Sequence, residues 1–108
     1  KQKSFVEVKN VTLFRDKNTA EFPDAITSRG SKHLLALIDA IKKGYKSYII
    51  FLVQIQNMEN FKIASDIDNE YYENYLTAKK AGVNFLAYRC KIDSKEIFIE
   101  KKLKIINE

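Results

Sequence analysis

Six consecutive apolar residues, Tyr48 to Val53 within "SYIIFLVQIQ", constrain the fold of this chain more than any other stretch. An unbroken run of this length is what a strand covered on both faces looks like, so it is expected in the middle of a sheet. The segments around it set the fold class. Upstream, from about Ser28 to Lys43, Leu34, Leu37, Ile38 and Ile41 recur at helical spacing and Gly44 supplies a stop. On a helical wheel, Arg29, Lys32, Ala36, Ala40 and Lys43 gather on the opposite side, with His33 at the border. Downstream, after a polar loop, "NEYYENYLTAKKAG" predicts a second helix, with acids at its start, Lys79 and Lys80 at its end and Gly82 as its C-cap. "VNFLAYRCKI", residues 83–92, follows as a strand, and "KEIFIEKKL" is its hairpin partner across the "DS" turn. The chain opens with another strand, about residues 4–14, and the turn-rich "RDKNTAEFPDAITSRG" after it has room for a short second one. The order β, (β), α, β, α, β, β predicts an α/β fold of three layers, a mixed sheet flanked by helices.

With 108 residues, 45% of them hydrophobic, the chain has the apolar surface for one small domain and a single core. No apolar run approaches the ~20 residues of a membrane-spanning helix, and the basic start is not followed by the apolar stretch of a signal peptide. A cytoplasmic domain without membrane contact is therefore expected. Cys90, the one cysteine, has no internal disulfide partner, in keeping with a reducing compartment. A net charge of +5 permits contact with a polyanion such as nucleic acid without requiring it. The chain starts at Lys1, not methionine, in strand-like sequence, which reads as a piece of a longer protein.

Three kinds of chemistry are set aside by the residues themselves. The three glycines stand apart, so there is no phosphate-cradling glycine loop; one His and one Cys cannot assemble the usual zinc site; and no Ser, His, Asp grouping suggests a hydrolase triad. What remains is "EVK" at Glu7 to Lys9. In an extended strand Phe5, Glu7, Lys9, Val11 and Leu13 share a face, so the carboxylate and the ammonium lie roughly 6–7 Å apart along it. A carboxylate that holds Mg²⁺ or Mn²⁺ beside a lysine that steadies developing negative charge is suited to phosphodiester hydrolysis. The same pattern also fits a salt-bridged pair on an exposed edge.

"FVEVKNVTL", "EFPDAITSRGSKHLLAL" and "DIDNEYYENYLTAKKAGVNFLAYRCKI" together resemble the C-terminal half of the sugar fermentation stimulation protein A family. The resemblance runs from Phe5 to about Ile92. It implies a restriction-endonuclease-like core, with E-V-K matching the E-x-K half of the PD-(D/E)xK nuclease motif. It implies in turn that Glu7 is a metal ligand and catalytic with Lys9, that the metal is Mg²⁺ or Mn²⁺, and that an aspartate upstream of the triplet completes the site. Only six residues precede Glu7 and none is acidic, so that ligand, the start of the core and an upstream OB-like domain are expected outside residues 1–108.

Within the second signature, Asp24 is either a further metal ligand or a turn residue after Pro23. Thr27 and Ser28 are N-cap candidates, while Arg29, Lys32 and His33 present either donors to a nucleic-acid phosphate or a solvated basic helix face. Gln54, at the end of the central strand, is a supporting polar residue or a strand-end cap. Asp66, Asp68 and Glu70 are better explained by the dipole of the second helix than by a metal, Tyr71, Tyr72, Tyr75 and Leu76 by core packing, and Cys90 as an inert buried thiol. Two functions follow from the resemblance: a DNA-binding domain with a nuclease-like fold tied to sugar utilisation, or a metal-dependent DNA nuclease once the upstream aspartate is present. A homodimer is expected of a double-strand cutter.

Overall fold

The computed structural model describes residues 3–107. Strands β1 (Ser4–Val11), β2 (Leu13–Asp16) and β3 (Thr19–Phe22) precede helix α1 (Ser28–Lys42). Strands β4 (Lys46–Val53) and β5 (Asn60–Ile63), helix α2 (Asn69–Ala81), and the β6 (Asn84–Ile92) to β7 (Ile97–Ile105) hairpin follow. The seven strands form one curled sheet in the order β1-β4-β6-β7-β5-β3-β2. β1, β4 and β6 run parallel, β7 returns antiparallel to β6, and the end of β7 pairs parallel with β5, which carries the β3–β2 ribbon.

Both helices lie on one face of this sheet and pack on each other. The described residues therefore form two layers rather than the expected three. The reason is topological. The connections β1-α1-β4 and β4-α2-β6 step in the same direction along the sheet, and right-handed crossovers in one direction place their helices on one side. α1 presents Leu34, Leu37 and Ile38 to this face, α2 presents Tyr71, Tyr75 and Ala78, and β4 answers with Ile49, Phe51 and Val53, all buried in one core cluster. Phe51 stacks on Phe61 of β5 with centroids 4.6 Å apart, and Tyr75 meets Phe85 of β6 edge-on at 4.6 Å.

Three further expectations need correction. β4 is not the middle strand but second from the β1 edge, and its burial alternates: Ser47, Ile49, Phe51 and Val53 are buried while Tyr48, Ile50 and Leu52 are half-buried. An apolar run thus belongs here to a strand with one covered face. The opening strand breaks at Thr12, where the chain leaves β4 after the Gln54 N–H to Val11 C=O bond and turns to pair β2 with β3. The polar loop after β4 contains β5, a four-residue strand too short to show a period.

The helix ends follow their local chemistry. The Thr27 hydroxyl caps α1 by accepting from the Gly30 N–H at 2.9 Å, and Gly82 ends α2 in the left-handed region with φ of 109°. Asp68 joins the two helix starts: its Oδ1 accepts from the Tyr71 N–H at 3.0 Å and its Oδ2 from the Thr27 N–H at 2.8 Å. That single buried carboxylate fixes where α1 begins relative to α2. No helix among the described residues is long and apolar enough to cross a membrane.

Candidate functional site

β1 is an edge strand, and its Glu7 and Lys9 side chains point to the face covered by α1. The crossover brings the first half of α1 over them. The Lys9 ammonium donates to His33 Nδ1 at 2.8 Å, and the same nitrogen lies 3.2 Å from Glu7 Oε1. One ring nitrogen cannot accept from the ammonium and donate to the carboxylate at once. Because an ammonium offers only protons, Nδ1 is read as the acceptor, and Glu7 is balanced chiefly by the Lys9 charge. Burial pulls the Lys9 pKa below its ordinary value, Glu7 opposes that shift and the nearby Arg29 adds to it. Glu7, Lys9 and His33 therefore form one half-buried cluster at the β1–α1 junction, with the exposed Arg29 near enough to act on Lys9 through its charge.

The other sequence candidates fall elsewhere. Lys32 is exposed beside Arg29 on α1 and has no ion pair among the described residues. Asp24 is exposed after β3, with no hydrogen bond or ion pair to the cluster. Gln54 donates from Nε2 to Asn10 Oδ1 at 2.8 Å, and Asn10 alternates with Lys9, so this pair lies on the opposite face of the sheet from the cluster. Asp66 is taken by Arg15 and Asp68 by the two helix starts. Cys90 is buried, and burial raises its thiol pKa.

One residue of this region was not singled out by the sequence except as packing. Tyr71 is fully buried, and its hydroxyl has no hydrogen-bond partner among the described residues. Its ring lies against the first turn of α1, since a Cβ placed on Gly30 would be 3.1 Å from Tyr71 Cε1. Burial, then Asp68, then Glu7 raise the phenol pKa, so the hydroxyl stays a proton donor beneath the cluster. A tyrosine at core spacing on a helix carries no sequence signal that separates this position from ordinary packing.

The donor set decides what the cluster suits. Glu7 is its one carboxylate, set among Lys9, Arg29 and His33, and no group of three or more His, Cys, Asp or Glu among the described residues could hold a metal ion. These residues alone do not fit a resident divalent cation. They do fit an anion, with a partly desolvated ammonium and a guanidinium at the first turns of a helix.

Comparison with known proteins agrees with the fold. The family profile described as the sugar fermentation stimulation protein RE domain matches residues 1–96. A sugar fermentation stimulation protein homolog of Pelagibacter ubique is 78% identical over 99% of this chain and 46% of its own length. One from Clostridium acetobutylicum is 43% identical over 94% of this chain and 44% of its own. The solved structure of Pyrococcus furiosus SfsA in complex with Ca²⁺ superposes with a TM-score of 0.86 at 30% identity, covering 94% of this chain and 44% of that one. The chain thus spans less than half the length of these relatives. On these matches, the chain belongs to the sugar fermentation stimulation protein family.

Proposed function

We propose that this chain is a DNA-binding domain with a nuclease-like fold, gripping the phosphate backbone through Lys9, Arg29, Lys32 and His33. The observation that carries this reading is the meeting of Lys9 and His33 beside a single carboxylate at the β1–α1 junction, with the Arg29 charge acting on Lys9. Neutralising phosphates in this way releases counterions and gives affinity with little sequence preference. The relatives are named for stimulating sugar fermentation, and DNA binding in the cytoplasm is one route to such an effect.

Fluorescence anisotropy with a labelled duplex tests it. Phosphate contacts from the three lysine and arginine side chains, Lys9, Arg29 and Lys32, imply that affinity falls about 40-fold between 50 and 200 mM salt, and Arg29→Ala or Lys32→Ala should each lower the salt slope by about one. Chelators should leave binding unchanged. Failure to bind DNA, duplex or single-stranded, at 50 mM salt overturns the reading.

A second reading, phosphodiester hydrolysis dependent on Mg²⁺ or Mn²⁺, is favoured by Glu7 and Lys9 sharing the α1 face of β1. The Ca²⁺ complex of the Pyrococcus relative adds support. It needs an acidic ligand beyond the described cluster, such as the aspartate the resemblance places upstream; neither Asp24 nor Gln54 meets the cluster here. Cleavage of DNA with Mn²⁺ by a chain extended upstream, lost in Lys9→Ala with binding kept, is the outcome that favours it.

A further inference from the structure

We propose that the cleft between β1 and α1 is a nucleobase pocket opening onto the phosphate cluster, so that the preferred ligand is single-stranded or locally unpaired DNA. The inference rests on the DNA-binding reading and names the form of nucleic acid that the same site takes. The cleft has a volume of about 350 Å³. That lies within the range of small-molecule sites, which have mostly apolar walls and a few polar groups.

Its walls come from opposite elements. Phe5 and Tyr45, ring centroids 5.1 Å apart in an edge-on pair, form one side, and the α1 face carrying Ala36 and Ala40 forms the other. Those two alanines stand one turn apart, and their small side chains leave the gap that a planar ring would fill. Glu7 and His33 close one end, and these are the residues that meet Lys9 in the cluster. A nucleotide whose phosphate sits on Lys9 and Arg29 therefore has its base beside the mouth of the cleft. Lys43 stands at the other end in an exposed pair with Asp39 at 3.0 Å, which also lines the cleft, and is placed for a neighbouring phosphate.

Aromatic and apolar walls next to backbone-binding cations are the combination by which proteins hold unpaired strands. A base inside a duplex is stacked and paired, and reaches such a pocket only when it is extruded. The two ligand forms are thus separated by the cleft, whereas the cluster alone treats them alike.

The test compares a labelled single-stranded 12-mer, its duplex and an abasic single strand of the same length, by anisotropy at one salt concentration. The expected result is single-strand binding about tenfold or more tighter than duplex binding, from base stacking. The abasic strand should lose that advantage. Ala36→Leu fills the cleft from an exposed helical position and should abolish the single-strand preference, with Ala36→Ser retaining it. Circular dichroism and the melting temperature check that both variants fold. Equal affinity for single strand and duplex, or an unchanged preference in Ala36→Leu, overturns the pocket while leaving DNA binding in place. Absence of binding to every probe overturns both.

Discussion

At the scale of single residues, the clearest consequence concerns Glu21, a carboxylate only 2% exposed on β3. Arg15 on β2 donates from Nε to its Oε2 at 2.9 Å and reaches from Nη1 to Asp66 at 2.6 Å. Arg15→Ala strands a buried charge, and a chemical-denaturation series should show a clear loss of stability. That is less than a fully buried pair costs, because Arg15 is itself 41% exposed. The same guanidinium holds the Asp66 carboxyl down at about 2, against an ordinary value near 4. Between these values the unfolded chain binds more protons than the folded one, so Asp66 contributes stability above about pH 4 that is lost as pH falls towards 2. A plot of melting temperature against pH should be flatter over that window in Asp66→Asn. None of this network is visible in the sequence, where Arg15, Glu21 and Asp66 are separated by a turn and most of a domain. Glu7 and Lys9 were legible because strand alternation puts them together locally, and Arg29 with His33 because helical spacing does. That these two pairs meet depends on the β1–α1 crossover, which no local period encodes.

At the scale of elements, helix α1 shows how capping and packing compete with propensity. Alanine favours a helix interior over glycine by about 1 kcal/mol. At Gly30, however, a Cβ would stand 2.8 Å from Thr27 Cγ2 and 3.1 Å from Tyr71 Cε1. Thr27 cannot yield easily, because its hydroxyl caps the helix and its N–H is held by Asp68. Gly30→Ala should therefore destabilise by roughly 1–2 kcal/mol in spite of its propensity, as overpacking does. A rise in melting temperature would show that the first turn shifts freely. The two helices, the Gly82 C-cap and the β6–β7 hairpin were readable because each carries a strong local signal in spacing, glycine or turn residues. β5 and the β2–β3 ribbon were not resolved as three strands, since four-residue strands take their identity from partners distant in sequence. The number of layers was misread for a related reason: six apolar residues in β4 suggest two covered faces, but strand order decides where the helices go.

At the scale of the whole molecule, that strand order leaves one sheet face without a helix among the described residues. Across it Val6 pairs with Tyr48, Val8 with Ile50, which pairs in turn with Leu86, and Asn10 with Leu52, which pairs with Tyr88. Val6 and Val8, on the edge strand, are 55% and 50% exposed. β1 is eight residues long and parallel to β4, and its outer edge has no strand partner among the described residues. A long apolar edge joined to an apolar face is the arrangement that templates pairing with another chain, and a lysine there is a common means of blocking it. The phosphate cluster lies on the other face of the same strand, so the two properties separate by alternation: even-numbered positions of β1 govern association, while Glu7 and Lys9 govern the cluster. The 108-residue chain should self-associate with rising concentration in sedimentation equilibrium, and Val8→Lys should weaken that association about tenfold or more. Because Val8 points away from α1, the variant should keep the Lys9 to His33 contact and bind duplex DNA at least as well as the parent. A chain that stays monomeric at millimolar concentration, or a Val8→Lys variant that associates like the parent, would mean that the edge and face are protected by their own twist and half-buried neighbours.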